Sequence, residues 1–291
     1  MNASVDPPVP GGPRSAPGDG RYGTDLFAPD RTGEGERIDH GALAYDAVTR
    51  SRLAALGVGP GWRCLDVGAG TGTISRWLAD EAHVDEVLAL DRDPRFVPVH
   101  PGDRVRTMAA DITDPTLAPG RFDLVHCRFV LMHLPRHAEV LARLADWVAP
   151  GGRLVVGDAV DLTTADSSNR AYRRTMAAMW QVLRARIGTD INWVTRYPQL
   201  LRDLGLREVG AEIVVPPLTP DAAVTAFWRT TWQSMRDALE AGTAPEAGTA
   251  LDADTVLAPG ELDEALDYLS SPTLAELPPG MITAWGRRPP A

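Results

Sequence analysis

The stretch "RCLDVGAGTGTISRWL", residues 63–78, decides the fold. A short, mostly apolar run, Cys64-Leu65-Asp66-Val67, leads into three glycines within five positions, Gly68, Gly70 and Gly72. A second run, from Thr73, has apolar residues at helical spacing. The succession reads as a strand, a turn of bare backbone, and a helix whose first N–H groups have no intrahelical partner. Such a turn lets backbone approach a ligand closely and offers donors to an anionic group.

Outward from that stretch the chain alternates. After the strand 63–67 and the helix 73–82 come strand-like runs at 86–91, 105–111 and 122–129. The amphipathic run 136–149 follows, and then a fifth strand at 152–159, entered through the Pro150-Gly151-Gly152 turn. Apolar runs separated by helices imply βαβ units and a parallel sheet buried on both faces. The helix preceding the first strand is expected to start near Ile38 and to end at Gly57, Gly59 and Gly61. Residues 1–36 are rich in Pro, Gly and charge, so they are expected to form a disordered tail or a lid. Beyond Asp158 the rhythm changes. Helices are expected at 167–188, 197–206, 221–241 and 260–270, with strands at 207–217 and 281–288 and an Ala/Gly/Thr-rich loop at 242–250. The domain division that follows is a core at 37–160, a helical insertion at 161–204, and closing strands in 205–291 that carry a second insertion at 216–280.

Composition narrows the chemistry. The chain has 291 residues, is 44% apolar and carries a net charge of −10, with arginine supplying all 29 basic residues. The absence of lysine removes P-loop and Schiff-base chemistry. An acidic chain with scattered arginines disfavours nucleic acid as a partner. No apolar run reaches the ~18 residues that a membrane span needs, and the N-terminus lacks the apolar segment of a secretory signal. Two cysteines, Cys64 and Cys127, make no disulfide framework, which fits a reducing cytoplasm. No His/Cys cluster suggests a metal.

Dinucleotides and S-adenosylmethionine both use such a turn. A dinucleotide turn, G-x-G-x-x-G, would place its third glycine where Thr73 stands. The observed Asp66-x-Gly68-x-Gly70-x-Gly72 instead resembles the first motif of class I S-adenosylmethionine-dependent methyltransferases. "VLALDRDP" (87–94), "AADITD" (109–114), "FDLVHCRFVLMHLP" (122–135) and "VAPGGRLVVGD" (148–158) fit the same family in order. The resemblance implies a Rossmann-like, doubly wound sheet of seven strands, mostly parallel with an antiparallel last strand, plus helical insertions or a lid. It also implies cofactor contacts at Asp66, Gly68, Ala69, Gly70, Thr73, Asp91, Arg92, Asp111, Ile112, Cys127 and Arg128. Within it, Asp91 would take the ribose hydroxyls, Asp111 the adenine amino group, and Arg92 the adenine face. A ribose diol donates two hydrogen bonds, which suits an ionised carboxylate. Asp91 and Asp111 are also residue types that cap helices and turns, and Arg128 is equally suited to a structural ion pair.

The resemblance further implies transfer of a methyl group to a small molecule of the kind made in secondary metabolism. His133, in "FVLMHLP", is the candidate general base, or else a residue that packs over the cofactor. Met176, Met179, Trp180, Trp193 and Trp228 are expected to form an apolar or aromatic acceptor pocket. Asp158, Asp161 and Tyr172 are further candidates there, and Tyr22 and Phe27 are expected to close over the cofactor. The rival readings are a cyclase on the same fold, a nicotinamide-dependent dehydrogenase, and a cofactor-binding subunit without activity. Which atom is methylated, and the oligomeric state, are not written in the sequence.

Overall fold

The structure, a computed structural model, describes residues 22–24, 26–241 and 257–291. Residues 1–21 of the expected tail, and the expected loop at 242–250, lie outside the described residues.

Seven strands form one sheet in the order β3-β2-β1-β4-β5-β7-β6. They are β1 (Arg63–Val67), β2 (Glu86–Asp91), β3 (Val105–Ala109), β4 (Phe122–Arg128), β5 (Val148–Val160), β6 (Arg207–Val214) and β7 (Gly280–Arg287). The pairings β1·β2, β2·β3, β1·β4 and β4·β5 are parallel, while β7 runs antiparallel to both β5 and β6. The expected Rossmann-like sheet with a reversed last strand is therefore present. The chain order reverses between β1 and β4, so the strand ends part there and leave a crevice at the carboxyl edge.

Helices cover both faces, as the continuous apolar strands require. α1 (Glu34–Ala55) and α2 (Thr73–Asp80) pack on one side, where Leu53, Trp77 and Leu78 meet Cys64, Val87 and Ala89. α3 (His137–Asp146) and α5 (Tyr197–Asp203) cover the other, burying Leu141, Leu144 and Leu201 against Leu65 and Val125. A separate core joins α4 (Arg170–Ile187), α6 (Ala223–Ser234), α7 (Arg236–Glu240) and α8 (Glu261–Leu269) around Tyr172, Met176, Trp232 and Leu262. The stripe Tyr172, Met176, Met179, Leu183 and Ile187 is buried along α4, as its spacing requires. Asn169 caps that helix by accepting from the Tyr172 N–H, and Gly188 ends it in the left-handed region.

Three boundaries differ from the sequence expectation. α1 begins at Glu34, before the expected onset near Ile38, because Glu34 and Arg37 pair one turn apart and are buried. The helix expected over 221–241 breaks at Met235 into α6 and α7. β5 begins at Val148, with residues 149–152 standing against Asp123 alone, so the Pro150-Gly151-Gly152 turn is a bulge inside the strand.

Candidate active site

A cavity of about 310 Å³ opens at the carboxyl edge of β1, β2 and β4, beneath α1, α4 and α6. Its floor is the glycine turn. Gly68, Gly70 and Gly72 have φ of 68°, 57° and 77°, a region that side chains make costly. A Cβ on Gly68 would stand 2.2 Å from Val130 Cγ2, so the turn admits only bare backbone there. Asp66 fastens the turn from below. It is buried, accepts from Ser75 Oγ at 2.6 Å, and meets His126 Nδ1 at 2.7 Å. Burial alone would raise its carboxyl, but His126, Ser75 and Arg128 together hold it below the ordinary range. Asp66, Gly68, Ala69, Gly70 and Thr73 all line the cavity.

Two carboxylates stand at neighbouring strand ends. Asp91 closes β2 and accepts from the Gly70 N–H and the Asp93 N–H, each at 3.0 Å, so it ties the second strand to the glycine turn. Burial pushes its carboxyl upward, and those N–H groups and Arg92 oppose the shift. Asp111 follows β3 and accepts from the Thr113 N–H at 2.8 Å and from Thr113 Oγ1 at 2.6 Å. Ile112 and Arg92 also face the cavity. The Arg92 guanidinium donates to the Tyr22 carbonyl, and so anchors the chain segment that crosses the site.

Arg128, at the end of β4, lines the cavity and is also an ion-pair residue. Its guanidinium donates to Asp46 Oδ1 at 2.7 Å and to Thr49 Oγ1 at 2.9 Å, both on α1. Tyr45, one residue before Asp46, packs edge-on against Phe129.

The sequence reading missed the polar cluster that faces this wall. Arg37 Nε donates to Glu34 Oε2 at 2.9 Å, and Arg37 Nη2 to Glu34 Oε1 at 2.5 Å and to the Tyr22 hydroxyl at 2.5 Å. The same guanidinium lies 4.2 Å from the Phe27 ring centre, a cation–π contact. The signal was present in Glu34-x-x-Arg37, a helical pair one turn apart, but the pair straddles the boundary drawn after residue 36, with Glu34 in the segment expected to be disordered. Tyr22 and Phe27 do line the cavity.

His133 lies on the wall, with Nδ1 2.9 Å from Thr189 Oγ1 and its ring centre 4.8 Å from that of Tyr22. Burial, and then the nearby Arg37 charge, push its pKa down to about 3. Titration near neutrality, which a general base needs, is thereby lost.

The far wall is apolar. Met179, Trp180 and Leu183 from α4 face Phe227 and Trp228 from α6. Three expected site residues lie elsewhere. Cys127 points into the sheet core, because alternate residues of a buried strand face opposite sides. Met176 is wholly buried in the helical core. Trp193 packs its ring 3.9 Å from His137 and 5.1 Å from Tyr197. Asp158, Asp161 and Tyr172 are likewise absent from the wall. Asp161 accepts instead from Trp180 Nε1 at 2.8 Å, and Tyr172 donates to the Leu277 carbonyl at 3.1 Å. Among the described residues, no group of three or more His, Cys, Asp or Glu is placed to hold a metal. None of their helices is long and apolar enough to cross a membrane.

Comparison with known proteins agrees with this geometry. Residues 65–156 match the methyltransferase domain family. The methyltransferase str3 of Strobilurus tenacellus is 36% identical over 127 residues, 43% of this chain and 45% of that protein. The methyltransferase str2 of the same organism is 30% identical over 198 residues, 65% of this chain and 69% of that protein. The matched region thus spans about half to two thirds of these relatives. The crystal structure of the YcgJ protein from Bacillus subtilis shares the fold, with a TM-score of 0.51 at 14% identity, covering 87% of this chain and all of that one. With the glycine turn, the strand-end carboxylates and these relatives in agreement, the chain belongs to the class I S-adenosylmethionine-dependent methyltransferases.

Proposed function

We propose that this chain transfers a methyl group to a small, apolar or aromatic acceptor of the natural-product kind. The acceptor's nucleophilic atom forms its bond to the methyl carbon as the S–CH₃ bond breaks, and the electron pair of that bond stays on sulfur. The observation that carries the acceptor class is the wall of Met179, Trp180, Leu183, Phe227 and Trp228 opposite the glycine turn. Glu34 and Arg37 satisfy each other nearby, so this half offers no unpaired charge to an ionic acceptor.

The residues present fit the cofactor. The left-handed glycines leave bare backbone on the cavity floor, and the carboxylates of Asp91 and Asp111 suit a ligand edged with donors. When bound, S-adenosylmethionine supplies an electrophilic methyl carbon on a positively charged sulfur. Asp91 holds the turn and receives ribose hydroxyls, Asp111 serves the adenine side, and Arg128 keeps α1 seated over the site. Alignment of this kind supplies about 7–11 kcal/mol of barrier reduction in well-oriented systems. His133 acts by packing and orientation, since a group with a pKa of about 3 is a weak proton acceptor at neutral pH. An acceptor hydroxyl therefore loses its proton to water, or arrives already ionised.

The test is incubation with methyl-labelled cofactor and a panel of phenols, amines and quinols, read by mass. A labelled product with matching S-adenosylhomocysteine is expected. Conversion of an acceptor without demethylated cofactor would instead establish cyclase-type chemistry.

A further inference from the structure

Arg37 holds more donors than its neighbours use. Its Nε and Nη2 donate to the two oxygens of Glu34, and Nη2 also donates to the Tyr22 hydroxyl. Nη1 has no hydrogen-bond partner among the described residues. The side chain is only 4% exposed, and a donor that gives up water without finding a partner is costly. Among the described residues, eight side-chain polar atoms are both partnerless and closed off from solvent, and Arg37 Nη1 is not one of them. It therefore keeps open surface, and Arg37 lines the cavity. A buried guanidinium with one spare nitrogen open on a cavity fits a donor that a ligand completes.

Its place assigns it to the acceptor rather than to the nucleoside. The guanidinium carbon lies 4.2 Å from the Phe27 ring centre and 5.8 Å from that of Phe227, part of the apolar wall. One turn along α1, a Cβ on Gly41 would stand 3.0 Å from Phe227 Cε2, so this face of α1 lies flush against that wall. The carboxylates that suit the nucleoside, Asp91 and Asp111, stand instead at the ends of β2 and β3. A guanidinium nitrogen only donates, so the ligand brings an oxygen that accepts. Glu34 already neutralises the charge, and the surrounding rings make an ionised oxygen costly to strip of water. We infer that Arg37 Nη1 donates to a neutral carbonyl oxygen of the methyl acceptor, such as a ketone, ester or quinone oxygen. This assignment rests on the methyl-transfer reading and adds to it the polar feature by which α1 selects among apolar acceptors.

Two phenols of one skeleton test it: 7-hydroxy-1-tetralone, and 5,6,7,8-tetrahydro-2-naphthol, which lacks the carbonyl. Calorimetry on the full chain saturated with S-adenosylhomocysteine is expected to give a Kd about tenfold lower for the ketone, a difference of about 1.4 kcal/mol. E34Q/R37M removes the buried pair together, so neither charge is left alone. In that variant the ratio of the two constants is expected to fall to within about twofold of one. A ratio near one in the unaltered chain, which the cofactor's own carboxylate on Nη1 would also produce, overturns the assignment. So does a ratio that survives the double substitution, or binding of neither phenol. If circular dichroism shows the double variant unfolded, the ketone enriched in carbon-13 at its carbonyl decides on the unaltered chain. Its bound resonance is expected at or downfield of its position in water, and a resonance displaced toward its position in cyclohexane overturns the assignment. Absence of S-adenosylhomocysteine binding would overturn the methyl-transfer reading as well, whereas a flat ratio with that binding intact removes only the carbonyl.

Discussion

Single residues at the glycine turn carry two jobs at once. Asp91 holds the Gly70 N–H and, in the proposed function, is the carboxylate offered to the ribose, so its removal should act on the turn and on the ligand. Asp91→Ala is expected to raise the Kd for S-adenosylhomocysteine at least tenfold by calorimetry, in line with roughly 1.5–3 kcal/mol for hydrogen bonds to a charged group. An unchanged constant would remove Asp91 from the site. Gly68→Ala places a methyl 2.2 Å from Val130 Cγ2 at a φ of 68°. A stability loss of roughly 1–3 kcal/mol in urea melts is expected from the backbone conformation, with cofactor binding abolished. Both positions were legible in the sequence because their physics is local: a glycine after a strand, and a carboxylate at the end of the next. The Cys127 side chain lies off the wall because one residue of strand phase decides whether a side chain meets the cavity or the core.

At the scale of elements, α1 is the piece that closes the site from above, and it is tied down by side chains rather than by the sheet ladder. Arg128 reaches Asp46 and Thr49, the Tyr45 hydroxyl donates to the Pro279 carbonyl at 3.1 Å, and Arg52 pairs with Glu212. The Arg128–Asp46 pair is about nine-tenths buried on both sides. Asp46→Asn is expected to cost roughly 2–4 kcal/mol by denaturant melting, because it leaves the Arg128 charge without its counterion. The same variant should weaken cofactor binding through loss of α1 seating, and a variant that melts like the unaltered chain would contradict this account. Sequence alone marked α1 as a helix but not its purpose, since its partners lie 79 and 82 positions away along the chain. The break at Met235 and the bulge inside β5 were hidden for a related reason. Both answer to neighbours, namely the helical core and Asp123, rather than to local propensity.

For the whole molecule, two buried groups with large shifts pull the dependence of stability on pH in opposite directions. Burial raises Asp158 from 3.8 to about 7, only partly offset by the Tyr197 hydroxyl and the N–H groups of Met132 and Val130. The folded chain therefore holds a proton there that the unfolded chain has released, and this contribution is lost as pH rises from about 4 to about 7. His133 does the reverse. Its pKa falls from 6.5 to about 3, so the unfolded chain binds the extra proton and stability is lost as pH falls below 6.5. Between roughly pH 4 and 6.5 these two effects oppose each other, and a shallower melting profile is expected than either group alone would give. Asp158→Asn should leave stability rising with pH across that window, and His133→Gln should leave it falling. Either slope has a ceiling of about 1.4 kcal/mol per pH unit. Matching profiles for both variants would refute the pairing.

The Tyr22–Arg37 segment has a kinetic corollary. With Tyr22 against His133, Arg92 on the Tyr22 carbonyl and Arg95 on Asp30, the passage out of the crevice runs beneath a fastened strap. If the proposed reaction runs here, escape of spent nucleoside requires these contacts to part, and departure is expected to be the slow event of the cycle. A pre-steady-state burst of methylated product is expected, while Arg92→Ala, which cuts one fastening, should quicken steady-state turnover.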